Sequence, residues 1–149
     1  MKTVDTLAKT FSAADRSGVY WVAAKINDIE RAGHMAGLSV VKLDVRSAKG
    51  KTEFLNSLAK TLKFPKHFGQ NWDALHDFLT DLSWHKATGW VIVLLNAKPF
   101  ADHHTEDFET AVEVLKAAAA HWRSQGKPFW VLVQGDKNWN ARLPSLPGN

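Results

Sequence analysis

The chain has 149 residues and a formal net charge of +4, and 45% of its residues are apolar while 23% are charged. This length fits one globular domain, and the composition excludes wholesale disorder and collagen-like repeats. Because the sequence contains no Cys, it excludes disulfides, zinc–thiolate sites and a thiol nucleophile.

The elements predicted in chain order are a possible edge strand at 19–22, a strand at 38–43, helices at 51–62 and 71–82, a strand at 90–95, a helix at 105–123 and a strand at 129–133. Residues 90–95 and 129–133 are almost unbroken apolar runs, which is typical of parallel strands covered on both faces. Helical patterns separate the strands, and this alternation predicts an α/β fold built from βαβ units. The Pro- and Gly-containing residues 143–149 are expected to be loosely packed.

The charge is distributed unevenly along the chain. Residues 1–69 carry a net +6, whereas residues 70–113 carry two Lys against eight Asp or Glu, a net −6. A nucleic-acid-binding protein concentrates Lys and Arg on one face, but here the basic residues are scattered singly. We therefore interpret the basic residues as a solvated surface and the acidic stretch as the more specific feature.

Targeting signals are not evident in the sequence. The first residues lack the apolar core of a secretory signal. The longest apolar run, at 90–95, is too short to span a bilayer. We expect a cytoplasmic protein with no membrane partner.

The predicted helix at 71–82 separates apolar from acidic side chains. At about 100° per residue, the core-facing stripe consists of Trp72, Leu75, Phe78, Leu79 and Leu82. Asp73, Asp77 and Thr80 lie almost opposite, and the helix contains no Lys or Arg. Like charges at i and i+4 destabilise an isolated helix by about 0.2–0.5 kcal/mol. Either this is a solvated acidic face, or a metal or a cationic protein partner compensates the carboxylates.

Residues 64–81 read F-P-K-H-F-G-Q-N-W-D-A-L-H-D-F-L-T-D. This stretch resembles the barstar family signature, (L/F)-P-x-x-(Y/F)-G-x-N-x-D-A-L-x-D-x-L, which opens the inhibitory helix of that family. The order of elements also fits from about Leu38 to Gln134, roughly two-thirds of the chain. The combination of G-x-N-x-D-A-L-x-D with a Pro four residues before the Gly is specific.

The resemblance implies a three-stranded parallel sheet packed with helices, with residues 19–22 as a possible extra N-terminal edge strand. It also implies an inhibitor that binds a secreted ribonuclease or a related toxin one to one, with carboxylates in the place of the substrate phosphate. The implied partner-binding residues are His67, Phe68, Gly69, Asn71, Asp73, His76, Asp77, Thr80 and Asp81. The implied organisation is an N-terminal extension at 1–36, a barstar-like domain at 37–136 and a C-terminal tail at 137–149.

Three positions depart from the family pattern. His67 and His76 stand where aromatic side chains with larger faces are usual, and Asp81 replaces a Gly. An acidic contact residue on the later helix has no clear counterpart, because an ungapped alignment places His121 there.

Two other functions stay open from the residues alone. His67, His76 and Asp77 are the candidates for the acid–base or metal site of a hydrolase, although His76 and Asp77 diverge by about 100° around a helix. An RNA-binding module is the other alternative, but four Trp that would have to stack on bases, at 72, 90, 122 and 130, follow core-facing patterns. The sequence contains no HExxH, GxSxG or phosphate-loop motif. We therefore expect a protein with no catalytic residues, metal, cofactor or nucleic-acid partner.

Overall fold

The computed structural model describes residues 2–135 and 138–147. Within them the order of elements is α1 (Lys2–Ser12), β1 (Gly18–Val22), α2 (Ile26–Met35), β2 (Ser39–Asp44), α3 (Lys51–Thr61), α4 (Trp72–Leu79), β3 (Trp90–Leu95), α5 (Lys98–His103), α6 (Thr105–Ser124) and β4 (Phe129–Gln134). A short 3₁₀ turn at Ala14–Arg16 joins α1 to β1. None of the described helices combines the length and the apolar character that a bilayer span requires.

The strands form one parallel sheet in the order β1-β4-β3-β2. The predicted α/β fold is confirmed, and so is the edge strand, because Gly18–Val22 pairs with Trp130–Gln134 along the outer side of β4. The bounds of β2 and β4 differ from the prediction by one residue. Each crossover between parallel strands contains helix, as βαβ units require.

Side chains of β3 and β4 alternate between two hydrophobic cores. On one face, Trp90, Ile92 and Leu94 pack with α3, α4, α5 and α6. On the other face, Val91 and Val93 pack with α1 and α2. Since successive residues of a strand point to opposite faces, an apolar run with no polar break is what a sheet covered on both sides needs.

Residues 2–36 supply the second helical layer and the edge strand. Apolar residues of α1 recur at i, i+3 and i+7 as Val4, Leu7 and Phe11, and all three are buried. The indole Nε1–H of Trp130 on β4 donates to the carbonyl of Phe11 over 3.0 Å. This segment is therefore continuous with the sheet and with the second core.

The C-terminal segment, residues 143–147, is packed against β1, so the expectation of a loose tail is wrong for these residues. The N–H of Trp21 donates to the carbonyl of Pro144 and the N–H of Leu146 to the carbonyl of Trp21, over 2.8 and 2.9 Å. Leu143 and Leu146 are buried. The segment orders because it covers the open edge of β1, a long-range contact that composition does not reveal. Residues 148–149 and the predicted boundary at 136–137 lie outside the described residues.

Candidate functional site

The loop before α4 is shaped by a side-chain cap. The Asn71 Oδ1 accepts from the N–H of Ala74 over 2.7 Å, while its Nδ2 donates to the carbonyl of Gly69 over 3.1 Å. Asn is among the best residues for this position because its oxygen satisfies one of the free N–H groups of the first turn. Gln70 has a positive φ of 48°, which turns the chain sharply into the helix. The cap therefore fixes where α4 begins.

α4 is shorter than predicted. It ends at Leu79, because Thr80 caps it and Leu82 takes a positive φ of 49° that leaves the helical path. Its orientation is as predicted in its main features, since Leu75 and Leu79 are buried and Asp73 and Asp77 are exposed. The other members of the predicted apolar stripe differ in how deeply they are buried: Leu82 is buried, whereas Trp72 and Phe78 are half-buried.

An aromatic cluster supports the loop beside α4. Phe78 is at its centre, with ring centroids 5.3 Å from Phe64, 5.3 Å from Phe68 and 5.5 Å from Trp84. The Trp84 Nε1–H donates to the carbonyl of Leu62 over 3.1 Å, which ties the cluster to the end of α3. The cluster consists of Phe64, Phe68, Phe78 and Trp84. The sequence analysis assigned Phe78 to the apolar stripe of α4 but did not predict the aromatic cluster. The sequence signal for the cluster was the pair of aromatic residues on the two sides of Pro65, Phe64 and Phe68.

His67 lies on the edge of this cluster. Its imidazole is 5.2 Å from the Phe78 ring at an interplanar angle of 64°, and the residue is exposed. The structure therefore brings His67 against α4, on the side of the helix that Phe78 occupies.

The acidic surface of α4 consists of Asp73, Asp77 and Asp81, and all three are exposed. Within the described residues, neither Asp73 nor Asp81 forms an ion pair. Asp77, whose side chain is 79% exposed, has only His76 nearby, with 3.8 Å between Oδ1 and Nδ1. These carboxylates thus face solvent with no Lys or Arg paired to them.

Thr80 and two lysines that lie over tryptophan rings complete the description of the site. The Thr80 hydroxyl donates back to the carbonyls of His76 and Asp77, over 2.9 and 3.2 Å, and so can offer an approaching group only its oxygen as acceptor. Lys51 lies over Trp72, 5.8 Å from the ring centroid, and Lys127 lies 5.6 Å from the centroid of Trp122. Both ammonium groups lie over core-side rings.

Within the described residues, His67, His76 and Asp77 form no hydrogen bond with one another. The 3.8 Å between His76 and Asp77 exceeds hydrogen-bonding distance, and His67 contacts a phenyl ring. Over residues 2–135 and 138–147, no three His, Asp or Glu side chains are grouped so that they could hold a metal ion. A cavity of about 1060 Å³ lies elsewhere, between α6 and residues 138–143. The candidate site is an exposed surface on one helix.

A family model described as Barstar (barnase inhibitor) matches residues 38–134. The match covers well over half of the 149 residues, and the chain belongs to the barstar family. It includes the loop, α4 and its acidic surface, together with β2, β3 and β4. No match was found among curated proteins. The family is one of inhibitors and not of enzymes, and the predicted resemblance is confirmed.

Proposed function

We propose that this protein inhibits a secreted ribonuclease of the barnase type, or a related toxin, in the cytoplasm of the cell that produces it. The proposed complex is one to one, with α4 and the loop before it entering the catalytic cleft. The observation that carries the proposal is the pair of exposed carboxylates, Asp73 and Asp77, one helical turn apart and without a Lys or Arg partner. The family assignment favours this function over the hydrolase and RNA-binding alternatives.

The physical argument starts from the substrate. A cleft that cleaves RNA must bind phosphate, and therefore presents Arg, Lys or His donors to an anion. Two carboxylates on a helix held at both ends offer a similar arrangement of negative charge without a bond to cleave. Because α4 is capped by Asn71 and packed by Leu75 and Leu79, little conformational entropy is lost when it binds.

The remaining proposed contact residues border this pair. His67, Phe68 and Gly69 lie in the loop that leads to Asn71, while His76, Thr80 and Asp81 continue the surface along α4 and beyond its end. The loop and the helix are held together by the aromatic cluster. A partner cleft that accepts α4 would therefore meet the loop as well.

Inhibition assays test this proposal directly. The chain is titrated into barnase acting on RNA, and its dissociation constant is compared with that of an Asp73→Asn/Asp77→Asn variant. Removing one partner of a buried charge pair lowers the binding free energy by about 2–5 kcal/mol. Measurements on the barnase–barstar complex itself contribute to this range. We expect the double variant to lose inhibition while its circular dichroism stays that of the wild type.

A matched control uses two exposed carboxylates that are not part of the acidic surface of α4. Asp5→Asn/Asp15→Asn changes the net charge by the same amount, on α1 and on the 3₁₀ turn. We expect this variant to inhibit as the wild type does. If both double variants lose inhibition to the same extent, the total charge of the protein, and not the acidic surface of α4, determines binding.

A further inference from the structure

The acidic surface of α4 has an imidazole on each flank. At about 100° per residue, His76 lies on the side of Trp72, whereas Phe78 lies on the opposite side of the acidic residues. His76 approaches Asp77 to 3.8 Å and is 46% exposed. His67 reaches the other flank from the preceding loop by resting on the Phe78 ring. In the helical projection the carboxylates therefore lie between the side of His76 and the side of Phe78, which His67 contacts.

Charged and titratable side chains of α4 and of the segments that adjoin it come from five places. On α4 itself they are Asp73, Asp77 and the following Asp81. The loop adds Lys63 and Lys66, α3 adds Lys51 over Trp72, and the α6 end adds Lys127 and His121, the latter in edge contact with Trp122 at 5.0 Å. The loop after α4 adds Lys86 and His85, whose ring nitrogen is 3.0 Å from the Ser39 hydroxyl. Among these groups, the exposed histidines are His67 and His76.

We propose that His67 and His76 make the acidic surface a pH-dependent docking site, which binds a cationic partner near neutral pH and releases it in acid. This inference rests on the proposed function, since it concerns the same surface. Histidine is the side chain whose charge ordinarily changes between about pH 5 and 8. Protonation of both imidazoles places two positive charges beside three negative ones, facing a partner that is itself positive.

The direction of the effect follows from proton linkage. A cationic cleft favours the neutral imidazoles, so the complex forms with release of protons, and its dissociation constant rises as the pH falls. Each pH unit over which the complex excludes one bound proton raises the dissociation constant about tenfold. Two such protons, excluded independently, give about a hundredfold.

The experiment measures dissociation constants at about pH 8 and about pH 5.5, on the two sides of the ordinary imidazole range. The probes are a catalytically inactive barnase and a hexa-arginine peptide with an acetylated N-terminus and an amidated C-terminus, whose charge stays constant over this range. The proteins are the wild type, the His67→Gln/His76→Gln variant and a His34→Gln control. His34 is exposed on α2, in the opposite helical layer.

The quantity compared is the ratio of the two dissociation constants for each protein. Groups that titrate on barnase contribute equally to every ratio and cancel in the comparison. We expect a large ratio for the wild type and for His34→Gln, and a ratio reduced by about tenfold to a hundredfold for the double variant.

Two outcomes overturn the inference in different ways. Tight binding at the higher pH with the same ratio in the double variant shows that His67 and His76 do not control release, and leaves the proposed function standing. Failure of the wild type to bind either probe at the higher pH removes the docking surface itself, and the proposed function falls with it.

Discussion

The indole Nε1–H of Trp122 on α6 donates to the carbonyl of Leu79, the last residue of α4, over 2.7 Å. The last carbonyls of a helix have no partner inside the helix and need one elsewhere. Here the partner is a side chain from another element, so α4 is tied at its end to the longest helix of the molecule. The acidic surface is thereby fixed relative to the sheet.

Trp122→Phe removes this donor while keeping a ring in place. Because the Leu79 carbonyl then loses its partner in a partly buried position, we expect the free energy of unfolding to fall by about 1–3 kcal/mol. Urea denaturation followed by fluorescence or circular dichroism measures this change. If the free energy of unfolding is unaltered, water replaces the indole and the contact does not hold α4.

Asn71→Ala removes the cap at the other end of α4. Loss of the acceptor for the Ala74 N–H is expected to lower the free energy of unfolding by about 1 kcal/mol. Asn71→Ser is the matched control, because its hydroxyl also caps well and should retain most of that stability. Thermal or urea denaturation of the three proteins gives the comparison, and equal losses in both variants would contradict capping as the cause.

Leu146→Ala tests the packing of residues 143–147 against β1. Leu146 is buried in the second core, with α1 and α2, and its truncation is expected to cost about 2–5 kcal/mol. Met35→Ala is the control, since that side chain is 61% exposed and its removal should change stability by less than about 0.5 kcal/mol. Similar values for the two variants in urea denaturation would mean that the segment contributes no packing energy.

The association rate with barnase is expected to fall as salt rises. Exposed carboxylates steer a basic partner over distances that salt screens, with a Debye length of about 10 Å at 0.1 M. Stopped-flow fluorescence over a series of salt concentrations measures the slope. The Asp73→Asn/Asp77→Asn variant should show a shallower slope, and a rate for the wild type that does not change with salt would indicate a mainly apolar encounter.

Asp44, at the end of β2, gives stability a dependence on pH. The backbone N–H of Arg46 donates to its carboxylate over 2.9 Å, and with the Asn96 side chain this holds the pKa of Asp44 below its ordinary value of 3.8. Its contribution to stability is present above the unfolded-state pKa and is lost as the pH falls through the lower folded-state pKa.

The difference in the free energy of unfolding between the wild type and Asp44→Asn should therefore shrink as the pH falls below about 4. Urea denaturation at a series of pH values measures it. A difference that stays constant down to acid pH would contradict the role assigned to the Asp44 carboxylate.

The central strands and α4 could be predicted because their signals are local. An unbroken apolar run specifies a strand covered on both faces, and the 3.6-residue period places Leu75 and Leu79 inward and Asp73 outward. The capping residue Asn71 marked the start of α4. The residues of the site could therefore be predicted individually from the sequence. The use of this site as a partner-binding surface stays a proposal.

The rest depended on contacts that the sequence pattern does not display. Gly33 of α2 stands where this helix lies close to Val40 of β2, and the sequence pattern does not show that close approach. α1 had a local signal that the prediction missed, the helical period of Val4, Leu7 and Phe11, whereas its packing beneath Trp130 is a long-range contact. Likewise, the position of His67 depends on the aromatic cluster, whose members come from segments before and after α4.

The pairing of β1 has a consequence for synthesis on the ribosome. Gly18 pairs with Trp130. More than a hundred further residues must therefore be synthesised after β1 before β4, its partner strand, is available. Residues 143–147, which cover its other edge, emerge later still. Contacts so distant in sequence close slowly, and an unpaired apolar strand attracts other chains in the meantime. The nascent strand β1 therefore stays open to intermolecular pairing until residues 129–134 and 143–147 have been made.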